Sequence, residues 1–226
     1  MKDRLLKSIK SKGPESAIHR LNRQDDVLRA LVSYEELVRD LYWKEKNLPA
    51  SIAIAQAAIE HALAHAELTD NSELADDYRA KAKAISYNLA SYTWPGWKEP
   101  GIEITADEIQ IGLKAAEQNL QLALSLNRDP LRVGYAHWVL GAQHIAVKDL
   151  PAAKADFAQS AALASEVEEH SAVLLANGFE ALVDMLITPH DAAAKKHYAE
   201  VKSQLEQVEH GDEYIQQLHN AWKVFS

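Results

Sequence analysis

The chain of 226 residues contains no cysteine. Disulfides, thiolate catalysis and Cys-ligated zinc or iron–sulfur sites are thereby excluded. Glycine and proline are scarce, at 8 and 7 residues, about half the share usual in globular proteins. Sandwiches, barrels and Rossmann-type sheets draw on turn residues and β-branched runs, so this composition weighs against them. No Gly-rich phosphate loop, G-x-S-x-G elbow or kinase signature occurs. Positive charge is also in short supply: 24 Lys and Arg stand against 33 Asp and Glu, a net charge of −9. A surface without a basic footprint does not neutralise phosphates or anionic headgroups, so neither nucleic acid nor membrane is expected as a partner. No uninterrupted apolar run approaches the roughly 18 residues of a spanning helix. The N-terminal MKDRLLKSIKSKGPES is charged and has no apolar h-region, so the expected location is cytoplasmic.

What the sequence does have is alanine, the best helix former, within a chain that is 47% hydrophobic. Caps divide it. Asn47-Leu-Pro49, Asp129-Pro130, Asp149-Leu-Pro151 and Thr188-Pro189 each set a polar side chain ahead of a proline suited to the first helical turn. Thr105-Ala-Asp-Glu108 reads as a capping box, Asn71-Ser72-Glu73 and Asp212-Glu213 as further starts, and Gly211 as a stop. The expected helices lie near 2–11, 17–46 with a break around Asn22 to Asp25, 49–68, 72–94, 106–126, 130–147, 150–165, 168–187, 189–209 and 212–225. No linker or low-complexity tract interrupts them, so residues 1–226 are read as one all-α domain.

Residues 137–165 (HWVLGAQHIAVKDLPAAKADFAQSAALAS) carry small residues at Gly141 and Ala153 and a large one at Phe157, followed by Ser160. Small residues let two helices approach closely, and the phenyl ring fills the space beside them. This pattern resembles the tetratricopeptide repeat (TPR). Looser copies use Tyr87-Asn88-Leu89-Ala90 with Gly112 and Ala116, Leu175-Ala176 and Phe179 with Ala194 and Tyr198, and Val38 and Tyr42 with Ser51, Ala55 and Ala58. In the last of these Arg39 stands where the family has a small residue. The resemblance implies a right-handed α/α superhelix of hairpins near 24–68, 72–126, 130–165 and 168–209. The helix at 212–225 would cap it, its apolar stripe formed by Tyr214, Leu218, Trp222 and Phe225.

The same resemblance places the first helix of each hairpin on a concave groove. Tyr87, Ser91 and Trp94, then Trp138, Ala142 and Ile145, then Val173, Asn177 and Glu180 would face a ligand, with Glu36, Asp40 and Trp43 added by the first hairpin. Tryptophan and tyrosine dominate binding hot spots. The expected peptide- or partner-binding residues are therefore Tyr87, Ser91, Trp94, Trp138, Ile145, Asn177 and Glu180, and the acidic side chains suit a basic or amphipathic peptide or helix. The clamp by which many members of the family hold chaperone C-termini is missing: Asn88 matches, but Glu36, Asp40 and Trp138 stand at the other positions.

Two other readings accompany this one. His61 and His65 share a helix face at i, i+4 and would hold a metal if another helix supplied a third ligand, which would make the protein a metal-dependent helical enzyme. The last helix could pair between two copies of the chain. His137 has no carboxylate partner at motif spacing, and His144 falls at a core position of the repeat. No catalytic constellation and no cofactor motif is evident, so the reading leans to a non-enzymatic binding protein.

Overall fold

The computed structural model describes residues 2–226, and within them helices alone form the regular structure. In chain order these are α1 (Lys2–Lys12), α2 (Glu15–Leu21), α3 (Val27–Trp43), α4 (Leu48–Leu68), α5 (Ser72–Tyr92), a 3-10 turn (Pro95–Trp97), α6 (Ala106–Ser125), α7 (Pro130–Ala146), α8 (Leu150–Glu166), α9 (His170–Ile187), α10 (Ala192–Leu205) and α11 (Gly211–Phe225). The expected all-α class holds. The long segment 17–46 divides where expected, and Asp26 accepts from the Arg29 amide (3.0 Å) to start α3.

The polar residues ahead of proline act as anticipated. Asn47, Asp129 and Asp149 accept from the amides of Ala50, Arg132 and Ala152. Thr105 and Glu108 close a reciprocal capping box. Lys46-Asn-Leu-Pro-Ala and Lys148-Asp-Leu-Pro-Ala fold alike, each Lys left-handed (φ 50° and 65°) and each Asx capping the next helix. Two starts differ from expectation. Thr188 closes α9, donating to the Asp184 carbonyl (2.9 Å), and Asp191 caps α10 in its place. Gly211 opens α11 instead of stopping the preceding helix. A Cβ there would run into the Leu205 carbonyl, and the left-handed turn falls on His210 (φ 60°).

The chain divides into two compact units, one ending at Tyr92 and one spanning Thr93–Ser226. In the first, α4 packs against both α3 and α5, and α1 and α2 lie against α3. Leu5 and Ile9 of α1 are buried. Asp40 of α3, 3% exposed, takes the Lys2 ammonium at 2.9 Å and that of Lys44 at 3.0 Å. Burial alone would raise the Asp40 pKa; the two ammonium groups outweigh it and hold the carboxyl below the ordinary aspartate value.

In the second unit each helix from α6 to α10 packs on the next, and α11 returns to lie against α9, α10 and the 3-10 turn. Consecutive helices pack as pairs within the units: α3 with α4, α7 with α8, and α9 with α10. Gly141 is what lets α7 and α8 meet: a Cβ there would sit 3.1 Å from the Phe157 ring and 3.2 Å from the Ala153 carbonyl. By length and mean hydropathy (1.3) α9 could cross a membrane. It packs against α8, α10 and α11 and carries Asn177, Glu180 and Asp184 along its length.

Replacing Gly141 with valine inserts three carbons where one already crowds Phe157. The expected loss of stability is about 1–3 kcal/mol, read as a lower urea midpoint with unchanged helical circular dichroism. A midpoint equal to wild type would show that the contact is looser than its geometry.

Candidate functional site

Of the residues expected to line a groove, the structure brings Trp94 and Trp138 together and buries both. Trp94 precedes the 3-10 turn and is 0% exposed; Trp138, on α7, is 7% exposed. Their ring centroids lie 5.9 Å apart, within a cluster completed by Trp97, Phe157, Phe179 and Phe225. Most of these pairs meet edge to face, the arrangement favoured by the ring quadrupole. The two indoles are thus core groups here and not groove walls. The turn 95–97 folds against α7, and α11 folds against that turn. Ile145 and Ala142 are buried on the same helix. Asn177 and Glu180 of α9 are half-buried, and Glu180 lies 3.9 Å from the Lys154 ammonium, which also pairs with Asp184 at 2.6 Å. Tyr87 and Ser91, half-buried on α5, belong to the first unit.

The tryptophan left open to solvent is Trp43, at the end of α3, 50% exposed. Tyr42 stacks on Tyr92 at 4.1 Å with planes 6° apart, and Trp43 meets both rings edge-on at 4.9 and 6.1 Å. Burial raises the Tyr92 pKa, opposed by a hydrogen bond with Trp43. The Lys46 ammonium stands over the Trp43 ring, 5.4 Å from its centroid. Asp40 and Glu36 precede Trp43 by three and seven residues and therefore share its helix face.

His61 and His65 lie on one face of α4, rings 4.5 Å apart and nearly perpendicular, between Tyr34 and Tyr78. His61 Nε2 is enclosed without a hydrogen-bond partner. Burial, then the His65 charge, pushes the His61 pKa down, which favours the neutral ring. Among the described residues no set of three His, Asp or Glu side chains converges to hold a metal, here or elsewhere. Beside His61 a groove of about 500 Å³ between α2 and α4 is lined by Glu15, Asn22, Gln56 and Glu60.

Sequence reasoning missed one cluster. Asp156 of α8 receives His137 Nδ1 on one carboxylate oxygen and His144 Nδ1 on the other, both at 2.8 Å. His137 thus has the carboxylate partner that motif spacing did not reveal. The signal was present in the hairpin register, because the Gly141–Phe157 contact places the neighbouring residue 156 between positions 137 and 144. Burial acts to raise the Asp156 pKa, but the two imidazole hydrogen bonds outweigh it and hold the carboxyl below 3.8. An ionised carboxylate only accepts, so each Nδ1 carries a proton and donates it to Asp156. No Ser, Thr or Tyr hydroxyl bonds to either ring among the described residues. The arrangement therefore orients two bases but supplies no nucleophile, and its evident effect is to clasp α7 to α8.

Truncating Trp94 to alanine should cost about 3–5 kcal/mol of stability, the cost of deleting a buried aromatic, measured by urea unfolding followed at 222 nm; a cost under ~1 kcal/mol would return Trp94 to the surface. Because the folded pKa of Asp156 is depressed, its contribution is complete above about pH 4 and lost as pH falls through the folded value. Asp156→Asn should destabilise by about 1–3 kcal/mol at pH 7, and the difference should shrink as pH falls through the folded value. A difference that stays constant through an acid titration would refute the depressed pKa. In comparisons with known proteins, no family model matches this chain and no curated protein is significantly similar to it.

Proposed function

We propose that this chain is a non-enzymatic protein-interaction module, built of TPR-like hairpins stacked as a right-handed superhelix, that binds a basic or amphipathic peptide or helix. The observation that carries this reading is the exposed Trp43 platform. A large rigid ring, half open and backed by the Tyr42–Tyr92 stack, has the character of a binding anchor. With Trp94 and Trp138 buried, the reading moves to Trp43, which the resemblance offered only as an addition to the groove.

The chain's own lysines support a cationic ligand. Lys46 occupies the Trp43 face as a cation–π donor. Lys2 of α1, a helix with lysines on its outer side and Leu5 and Ile9 buried, reaches Asp40, and Lys10 of the same helix pairs with Glu45. The surface of α3 therefore already holds a basic amphipathic helix in the folded chain. A net charge of −9 draws such partners at long range.

The test is a pull-down with wild type and Trp43→Ala, read by mass spectrometry after circular dichroism has shown that both fold. A partner held by wild type should weaken by about 30-fold in the variant, equivalent to ~2 kcal/mol at a hot spot. Partners retained equally by both proteins would remove Trp43 from the site.

A further inference from the structure

We propose that the groove between α2 and α4, in the unit ending at Tyr92, is a binding site for a small linear aliphatic polyamine of the spermidine class. Its terminal ammonium groups would pair with Glu15 and Glu60, and its methylene chain would lie on the alanines of α4. The site is separate from Trp43 and stands independently of the peptide-binding reading.

The groove exists because of what α4 lacks. α2 packs on α1 and α3, while α4 packs on α3 and α5. The space between α2 and α4, about 500 Å³, is lined on the α4 side by Ala53, Ala57 and Ala64. These positions recur at i, i+4 and i+11 and so share one helix face, where methyl groups are too short to close the gap. Ile18 adds an apolar side chain from α2. An apolar floor with a few polar groups around it is the usual make-up of a small-molecule site.

The charge in the groove is of one sign. Glu15 lines it from α2 and Glu60 from α4, and no Lys or Arg lines it. α4 carries no Lys or Arg along its whole length. Among the described residues neither carboxylate has an ion pair or a hydrogen bond. Elsewhere in the same unit acidic side chains take lysines: Asp40 that of Lys2, Glu35 that of Lys81 and Glu45 that of Lys10. Two carboxylates without counter-charge on the walls of one concavity focus their field on whatever enters it.

A second observation is a polar atom that the chain leaves unmet. His61 lines the same α4 wall, and its Nε2 is enclosed without a hydrogen-bond partner. Buried polar atoms are almost always satisfied, so an orphan at a groove wall points to a partner from outside the chain. Burial favours the neutral ring, so His61 adds no positive charge to repel an amine. The α2 wall is held in place. The buried Tyr34 hydroxyl donates to Asn22 Oδ1 at 2.7 Å, and Asn22 lines the groove. The Glu15 charge is felt at that hydroxyl, where it joins burial in raising the Tyr34 pKa. The Glu15 carboxylate therefore lies near the base of the groove and not on the far side of α2.

The spacing of these groups selects the kind of cation. Glu15, Glu60 and His61 do not converge to hold a metal ion. Carboxylates set apart across an apolar floor suit ammonium groups joined by methylenes. Each exposed ion pair contributes little alone, and burial of the methylenes on the alanine floor adds to both.

Isothermal titration calorimetry of the full-length chain with spermidine, at low ionic strength where ion pairs are least screened, is the test. Saturable binding should appear with a Kd below about 1 mM. Glu15→Gln and Glu60→Gln should each weaken it by about three- to five-fold, and the double variant by more than about ten-fold. Ala57→Leu, which fills the floor and leaves the charges in place, should weaken it as well. Glu67→Gln removes an equal charge from α4 outside the groove and should leave the affinity unchanged. Circular dichroism first shows that each variant folds, and ring resonances of His61 should shift on titration of wild type. Absence of saturable binding, or an equal loss in Glu67→Gln, would overturn the site. So would pentylamine binding as tightly as 1,5-diaminopentane, since one end would then be unused, or Mg²⁺ displacing spermidine at equal concentration. A loss on Trp43→Ala in place of Glu60→Gln would put the amine over that ring and refute the groove, leaving the Trp43 reading intact.

Discussion

The approach of α7 to α8 at Gly141 sets positions that much of the second unit then uses. With no side chain at 141, the Phe157 ring and the Ala153 carbonyl come within contact of the α7 backbone. Interhelical distance and register are then fixed together, because a phenyl ring has one hole to fill. Register brings Asp156 between His137 and His144, and two charge-assisted hydrogen bonds lock what the packing began. The same register turns Trp138 toward Phe157 and Phe179, and those rings form the floor on which Trp94 rests. One absent side chain thus sits beneath a hydrogen-bonded clasp and an aromatic core.

Most of the architecture was legible because its determinants are local. An Asx residue before Pro, a Thr-x-x-Glu box and alanine-rich stretches between them specify where helices begin and how long they run. The expected breaks and most of the boundaries match on that account. The two misplaced starts have local causes as well. Asp191 is a stronger cap than Thr188, and Gly211 is demanded by the nearby Leu205 carbonyl and not by a helix end. Pairing of α3 with α4, α7 with α8 and α9 with α10 follows from short connections.

The site was less legible, since exposure depends on elements far away in the chain. Trp94 and Trp138 carry the spacing expected of groove residues, and nothing near either position announces the aromatic cluster that buries them. The rings around Trp94 include Phe179 and Phe225, about eighty and more than a hundred residues on. Trp43 has the converse history: it lies at the C-terminal end of α3, beyond the buried stripe of that helix, and stays open to solvent. Pattern gave the faces, and long-range packing decided which of them are open.

Both units set a terminal helix against their charged or aromatic surfaces, and the likeness bears on how such a protein would work. In the first, α1 sets lysines on the acidic face of α3; in the second, α11 lies against α9, α10 and the 3-10 turn, with Phe225 beside Trp94. Each terminal helix matches the chemistry of the face it covers. A partner must then outcompete a tethered segment at high effective concentration. Under the proposed function this favours partners that make a contact the tethered helix cannot. On α3 that is a cation taking the place of Lys46 over Trp43. Specificity would come from this unmet interaction, because the met ones are already supplied within the chain.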